Sequence, residues 1–255
     1  MGRLHAETIA SHSESTLYAV SDIDSGSANE LAMQYGAALK SSEEIIADPN
    51  VDAILIATST DTHSDFIEKA SLAGKAVLCE KPVDLSLSRA KECLKKVSAA
   101  NNPIMIGFNR RFDPNFAQLK KSLDDSEIGK SELLTITSFD PAPPPVSYVK
   151  TSGGLYRDMM IHDFDLSNFI MDELPVTISA VGHSLINPEI GAAGDVDTAV
   201  VTMIYKAEWD AFIKSIKENT TVPVTLEDGV AALAMAEAAT LSQSSGKSIQ
   251  LKEVL

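Results

Sequence analysis

Cysteine is scarce in this chain, with only Cys79 and Cys93 in 255 residues. That excludes a disulfide framework of the kind that staples small secreted domains. Both cysteines lie in apolar-patterned segments and read as buried thiols of a reducing compartment. Positive charge is also short: 21 Lys and Arg stand against 36 Asp and Glu, a formal net charge of -15. No nucleic-acid partner is expected, because such binding needs clustered cations to displace counterions. An anionic membrane surface is disfavoured for the same reason. Long apolar runs are missing too. The run Ala53-Ile54-Leu55-Ile56-Ala57 is far shorter than the ~20 residues a membrane helix needs. No apolar h-region with a small-residue cleavage site opens the chain, so secretion has no support and a cytoplasmic location is expected.

What is present is ordinary for a folded protein: 44% hydrophobic and 22% charged residues, over a length that suits one large or two modest domains. As far as Phe108, short apolar runs alternate with helical patterns. Leu17–Ser21 reads as a strand, followed by a helix over Ser25–Tyr35. Val51–Thr58 is a second strand, apolar almost throughout and therefore covered on both faces. A helix over Thr62–Ala73 is stopped by Gly74, and Ala76–Cys79 is a third strand. The next helix, Ser86–Ala99, carries Leu87, Ala90, Leu94 and Val97 at helical spacing. Ile104–Phe108 is the fourth strand. This alternation predicts βαβ units in a Rossmann-like, doubly wound parallel sheet.

Beyond Phe108 the texture changes. A helix over Asn115–Leu123 leads to a strand at Leu133–Ser138, then to a loop with Pro141, Pro143, Pro144 and Pro145 that fits neither helix nor central strand. A helix over Asp158–Met171 and strands at Val176–Gly182 and Val196–Tyr205 follow, with helices at Glu208–Lys217 and Leu226–Ser242. No internal repeat or low-complexity tract occurs. The fold class predicted is α/β: a dinucleotide-binding domain over 1–107, without its usual first strand, then an α+β domain with an open mixed sheet over 108–255. Between Val201 and Glu208 there is no Gly, Asn, Asp or Pro to make a turn. A strand and a helix should therefore not be joined directly at Lys206–Ala207.

Asp22 ends a predicted strand and follows Gly2. In dinucleotide folds an acidic residue ~20 positions after the glycine loop binds the adenosine ribose hydroxyls. A turn aspartate in Ser21-Asp22-Ile23-Asp24 is the plainer alternative. The usual G-x-G-x-x-G is not found, since the chain opens Met1-Gly2-Arg3-Leu4-His5-Ala6 with one glycine and no strand before it. Glu80-Lys81-Pro82 lies at the carboxyl end of a predicted parallel strand, the edge where open α/β sheets bind ligands. A lysine there can sit beside a substrate hydroxyl and stabilise alkoxide character, although a solvated surface lysine is the commoner case. Pro82 restricts Lys81 to extended backbone.

In Asp158-Met159-Met160-Ile161-His162, the four-residue spacing on a helix puts Asp158 and His162 on one face. Histidine is the natural base for a hydroxyl proton near neutral pH, and a carboxylate neighbour raises its basicity. A solvated helix face, or a carboxylate placed to favour the helix dipole, explains the pair as well. A metal on His162 with Asp163 or Asp165 lacks a second nearby histidine, so no metal is expected. His63, after a strand end, lines a cofactor cleft or fills a helix cap. Arg110 and Arg111 read equally as a salt-bridging pair between domains.

Taken together, Gly2-Arg3-Leu4-His5-Ala6-Glu7, Thr58-Ser59-Thr60-Asp61-Thr62-His63, Cys79-Glu80-Lys81-Pro82, Gly107-Phe108-Asn109-Arg110-Arg111-Phe112-Asp113, Asp140-Pro141-Ala142-Pro143-Pro144, Ser152-Gly153-Gly154 and Asp158-Met159-Met160-Ile161-His162-Asp163 resemble the glucose–fructose oxidoreductase/inositol dehydrogenase family. The Glu-Lys-Pro and Asp-x-x-x-His pairing in this order is specific to it. Phe-Asn-Arg-Arg-Phe-Asp and Asp-Pro-Ala-Pro point to the inositol dehydrogenase branch. The resemblance implies an NAD-dependent dehydrogenase that oxidises a ring hydroxyl of myo-inositol, or of a related cyclic polyol, to the ketone. It implies a catalytic set of Lys81, Asp158 and His162: His162 as general base, Asp158 as its electrostatic partner, Lys81 as donor to the substrate hydroxyl.

Cofactor contacts are implied for Gly2 (the third glycine of the phosphate loop), Asp22, Thr58, His63, Glu80 and Lys81. Substrate contacts are implied for Asp140 and Arg111. Asp22 would disfavour the extra phosphate of NADP by charge. A homo-oligomer, commonly a tetramer, is the implied assembly. Against the family pattern, the first strand, two phosphate-loop glycines and the sheet strands usual after Val196–Tyr205 are absent. A shortened non-catalytic relative that acts as a binding or oligomerisation subunit, and a sugar dehydrogenase, stand as alternatives.

Overall fold

The structure, a computed structural model, describes residues 1–205 and 214–220, with scattered positions between 230 and 252. The chain divides into two compact units, one of Met1–Asp172 with Val181–Val200 and one of Glu173–Ala180 with Val201–Leu255.

In the first unit, α1 (Gly2–Ser11) opens the chain and starts without a side-chain cap. Two short parallel strands, β1 (Ala19–Val20) and β2 (Ala38–Leu39), pair with each other. Between them runs α2 (Ser25–Tyr35). Its start is set by the Asp24 carboxylate, which accepts the N–H groups of Gly26 and Ser27, and its end by Gly36 at φ 68°. The next helix, α3 (Ser42–Ala47), begins with a Ser41/Glu44 capping box. Neither β2 nor α3 is among the sequence predictions. The first is too short for a period to register, whereas the second carries a capping signal that would have found it.

A three-stranded parallel sheet follows, β3 (Ala53–Ile56), β4 (Ala76–Cys79) and β5 (Ile104–Ile106) in that spatial order, with Ile56 opposite Cys79 and Cys79 opposite Ile106. The crossovers are α4 (His63–Leu72) and α5 (Leu87–Val97). Ile56, Ile67, Ala70, Val77, Cys79, Cys93 and Val97 form one core between sheet and helices. Fully burying a side chain of valine or isoleucine size contributes about 1.5–3 kcal/mol, so this cluster is what holds the sheet edge in place. Parallel strands all end on the same side. The residues just after β3, β4 and β5 therefore share one edge.

After β5 the chain makes a 3-10 turn over Asn109–Phe112, then α6 (Pro114–Asp124), with Pro114 at the first helical position and Asp113 as its cap. The predicted strand Leu133–Ser138 is not formed. Its alternation is real, since 134, 136 and 138 are half-buried between more exposed neighbours, but the segment has no ladder partner among the described residues. A strand needs one to satisfy its backbone. Next come α7 (Val146–Ser152), α8 (Gly154–Asp158) and α9 (Met160–Met171). The sequence predicts one helix from Asp158 to Met171. Instead the chain breaks at Met159, where the His162 N–H turns to the Met159 carbonyl and the Asp158 carbonyl is released from the helix.

Strands β6 (Thr177–His183) and β7 (Thr198–Ile204) form a two-stranded sheet, and α10 (Pro188–Ala192) lies between them in sequence. Within the first unit the Asp197 N–H donates to the His183 carbonyl, and within the second the Val176 N–H donates to that of Ile204. These pairings run antiparallel. β7 starts later than predicted, and just before it the Asp197 carboxylate closes the turn that leads into α10, accepting N–H groups of Leu185, Ile186 and Asn187. In the second unit residues 214–218 are helical. The predicted helices Glu208–Lys217 and Leu226–Ser242 fall partly, and the Lys206–Ala207 junction wholly, outside the described residues. No helix among the described residues is long and apolar enough to cross a membrane.

Candidate active site

The chemistry-bearing residues gather in the first unit, at the carboxyl edge of the β3-β4-β5 sheet. Thr58 follows β3, Glu80 and Lys81 follow β4, and Phe108 follows β5. The Lys81–Pro82 peptide is cis. From this edge Lys81 Nζ donates to Asp158 Oδ1 at 2.8 Å and to the Asp158 carbonyl at 2.6 Å. The second bond exists because of the helix break, since an unbroken helix would hand that carbonyl to the His162 N–H. Lys81 is thus docked at two points, one on the side chain and one on the main chain of the same residue. The Tyr148 hydroxyl, from α7, also donates to Asp158 Oδ1, at 3.1 Å.

His162 lies in the first turn of α9, with its ring edge-on to Phe108 and centroids 6.3 Å apart. Burial is the main cause that lowers its pKa, and the positive charges of Lys81 and Arg110 add to it. Asp163 and Asp158 oppose the shift. The imidazole is therefore neutral at physiological pH, the form that can accept a proton. Its Nδ1 is buried and has no hydrogen-bond partner among the described residues. A buried polar atom left unbonded is costly, and such a cost is expected where a ring is held ready for a ligand rather than for the fold. Asp163 and Asp165 are engaged elsewhere: Arg110 pairs with Asp163, which also accepts from Ser138, and Arg111 grips Asp165 with two bonds of 2.8 and 2.6 Å. These pairs anchor α9 to the turn after β5.

The other predicted residues sit as follows. Glu80 Oε1 lies 2.6 Å from His5 Nε2, a tie between the sheet edge and α1 that sequence reasoning missed for want of any spacing signal. Thr58 shares a hydroxyl–hydroxyl bond with Thr62 at 2.7 Å. His63 is only 1% exposed, and its ring nitrogens lie 2.7 Å from the Pro82 carbonyl and 3.1 Å from that of Thr58, so it pins the loops after β3 and β4 to each other. Asp22 is exposed after β1 and accepts the Asp24 N–H in a local turn. Gly2 starts α1 with open space about it. Asp140 is exposed in the proline-rich segment, and no hydrogen bond among the described residues ties it to Lys81 or His162. Among the described residues no group of three His, Cys, Asp or Glu stands ready for a metal.

Residues 1–108 match the model of an oxidoreductase family with an NAD-binding Rossmann fold, and residues 116–233 match the GFO/IDH/MocA C-terminal domain. Inositol 2-dehydrogenase of Rhizobium meliloti is 43% identical over 86% of this chain and 67% of its own length. The chain belongs to the glucose–fructose oxidoreductase/inositol dehydrogenase family. A second similar member, myo-inositol 2-dehydrogenase of Thermotoga maritima, is 44% identical over 81% of this chain and 63% of its own length. The chain therefore spans about two thirds of the length of these curated members. Among solved structures of the family, scyllo-inositol dehydrogenase from Lactobacillus casei, with bound NAD(H) and scyllo-inositol, superposes with a TM-score of 0.69. It is 27% identical, over 81% of this chain and 63% of that one.

The residues present suit a dinucleotide. An uncapped helix start at an open glycine offers N–H groups to phosphate, an exposed carboxylate after β1 suits ribose hydroxyls, and Thr58, Glu80 and Lys81 line the edge at which such cofactors lie.

Proposed function

We propose that this chain oxidises a ring hydroxyl of myo-inositol, or of a related cyclic polyol, to the ketone, with NAD as hydride acceptor. The observation that carries this reading is the two-point docking of Lys81 on Asp158 beside the half-buried His162, whose Nδ1 has no hydrogen-bond partner among the described residues. NAD, when bound, supplies the acceptor for the hydride that leaves the carbinol carbon. His162 takes the hydroxyl proton as general base. Lys81, held in place by Asp158, donates to the same oxygen and stabilises its developing negative charge. Asp158 balances the positive charge that gathers on His162 and Lys81.

On the cofactor side, Gly2 and the start of α1 would hold phosphate, Asp22 the adenosine ribose hydroxyls, and Thr58, Glu80 and Lys81 the remainder of NAD. His63 serves this side through the two loops it joins. Asp140 borders the substrate. Arg111 borders it as well, and its two bonds to Asp165 also fix α9. We place the boundary between the cofactor domain and the substrate and oligomerisation domain at 107/108, the protein in the cytoplasm, and the assembly as a homotetramer. Neither nucleic acid nor membrane is a partner in this reading.

The test is NADH formation over a panel of inositols and sugars. Turnover of a cyclic polyol supports the reading, turnover of open-chain or pyranose sugars alone shifts it to a sugar dehydrogenase, and absence of turnover on the whole panel overturns it.

A further inference from the structure

Tyr148 belongs to none of the motifs that carry the family resemblance, yet its hydroxyl lies 3.1 Å from Asp158 Oδ1, the same oxygen that receives Lys81 Nζ at 2.8 Å. We propose that Tyr148 is a positioning residue of the reaction, which fixes the Asp158 carboxylate in the orientation that holds Lys81. The proposal rests on the polyol-oxidation reading for its catalytic consequence, though not for the contact itself.

The need for such a residue follows from the chemistry of the pair. The terminal torsion of aspartate is broad, and a lysine ammonium is a point charge whose three donors rotate freely. Lys81 alone therefore restrains how far the carboxylate lies from it and leaves its plane loosely set. A second donor on the same oxygen, from another element, removes that freedom.

The element that brings it is built to be firm. Pro145 precedes α7, and its carbonyl accepts the N–H groups of both Tyr148 and Val149. Val149 and Ser152, three apart on one helix face, are buried. Tyr148 itself is 48% exposed, so its ring is not there to fill a core. What its position secures is the hydroxyl bond. Burial first, then the neighbouring Asp158 charge, raise the phenol pKa, which keeps Tyr148 a donor throughout the neutral range. No proton leaves it in the reaction.

Two arms test this on the whole chain. In the kinetic arm, Tyr148→Phe should lower kcat for polyol oxidation on the order of tenfold, the size expected for one hydrogen bond to a charged group. KM for NAD and the thermal midpoint should stay unchanged. In the Asp158→Asn background the same substitution should cost nothing further, because Tyr148 acts only through that carboxylate. In the second arm, NMR of 13C-labelled tyrosine should show Tyr148 titrating above the ordinary tyrosine value in the wild type, and lower in Asp158→Asn. A Tyr148→Phe variant as fast as wild type, losses that multiply in the double variant, or a Tyr148 titration indifferent to Asp158→Asn would each overturn the proposal. A wild-type chain that turns over no polyol, with the Tyr148 titration still dependent on Asp158, would count against the polyol reading and leave the contact established.

Discussion

Single side chains in this protein divide into those committed to the fold and those held in reserve, and His162 is the clearest of the second kind. Buried and near two cations, it keeps its proton less readily than a free imidazole. Its pKa is lowered, so the neutral base persists to more acidic pH than usual. The acid limb of kcat/KM should accordingly lie below the ordinary histidine value of about 6.5, and a limb above it would contradict the assignment. His162→Ala should reduce kcat by ~10²–10⁴-fold with NAD affinity nearly unchanged, which single-turnover and binding measurements separate. Asp22→Ala should weaken NAD and relax discrimination against NADP, because a carboxylate accepts ribose hydroxyls and repels a phosphate in the same place. A wild-type chain that already prefers NADP would refute that. The cysteines belong to the first kind: burial pushes the Cys79 thiol up to about 12, out of reach of thiol chemistry at neutral pH.

Elements show where sequence reasoning succeeds and why it stops. Glu80-Lys81 lies at a strand end and Ser86 begins a helix, because apolar runs and caps are local signals. The strand at Leu133–Ser138 was legible as an alternating pattern, but pairing depends on a partner that no local pattern encodes. The break at Met159 is invisible for a related reason: Asp158-Met159-Met160-Ile161-His162 has good helical spacing, and the released Asp158 carbonyl finds its partner in Lys81, far away in sequence. Tyr148 escaped notice because its partner is set by the same tertiary approach.

The glycines at the start of α8 are another matter. Gly154 sits at φ 80°, and a β-carbon there would meet Asp195 Oδ1 at 2.5 Å, the carboxylate that accepts the Leu155 N–H. Gly154→Ala should therefore destabilise by about 1–3 kcal/mol, measurable in urea, and an unchanged midpoint would show that the turn relaxes freely. Asp197 offers a test of sign. Backbone donation, first from Asn187, holds its carboxyl at about 2. The unfolded chain thus binds the proton first as pH falls. Its stabilisation is complete above the ordinary aspartate value of ~3.9 and lost as pH falls through about 2. The gap in thermal midpoint between wild type and Asp197→Asn should be constant near neutrality and close toward that acid limit.

For the molecule as a whole, the strand faces that remain open set the expected assembly. In the second unit Val176, Ile178 and Ile204 are exposed around the β6–β7 pairing. Apolar sheet faces of this sort tend to pair about a symmetry axis. Light scattering should find a homo-oligomer at micromolar concentration, and a stable monomer there would remove that expectation. A different long-range property follows from two adjacent residues. Glu80 reaches back to His5 on α1, while Lys81 reaches across to Asp158 at the end of α8. One dipeptide thereby forms a crossbar between the first helix of the chain and a helix far along it. The contact that α1 makes with the sheet edge thus lies one peptide unit from the residue that carries the site's ammonium.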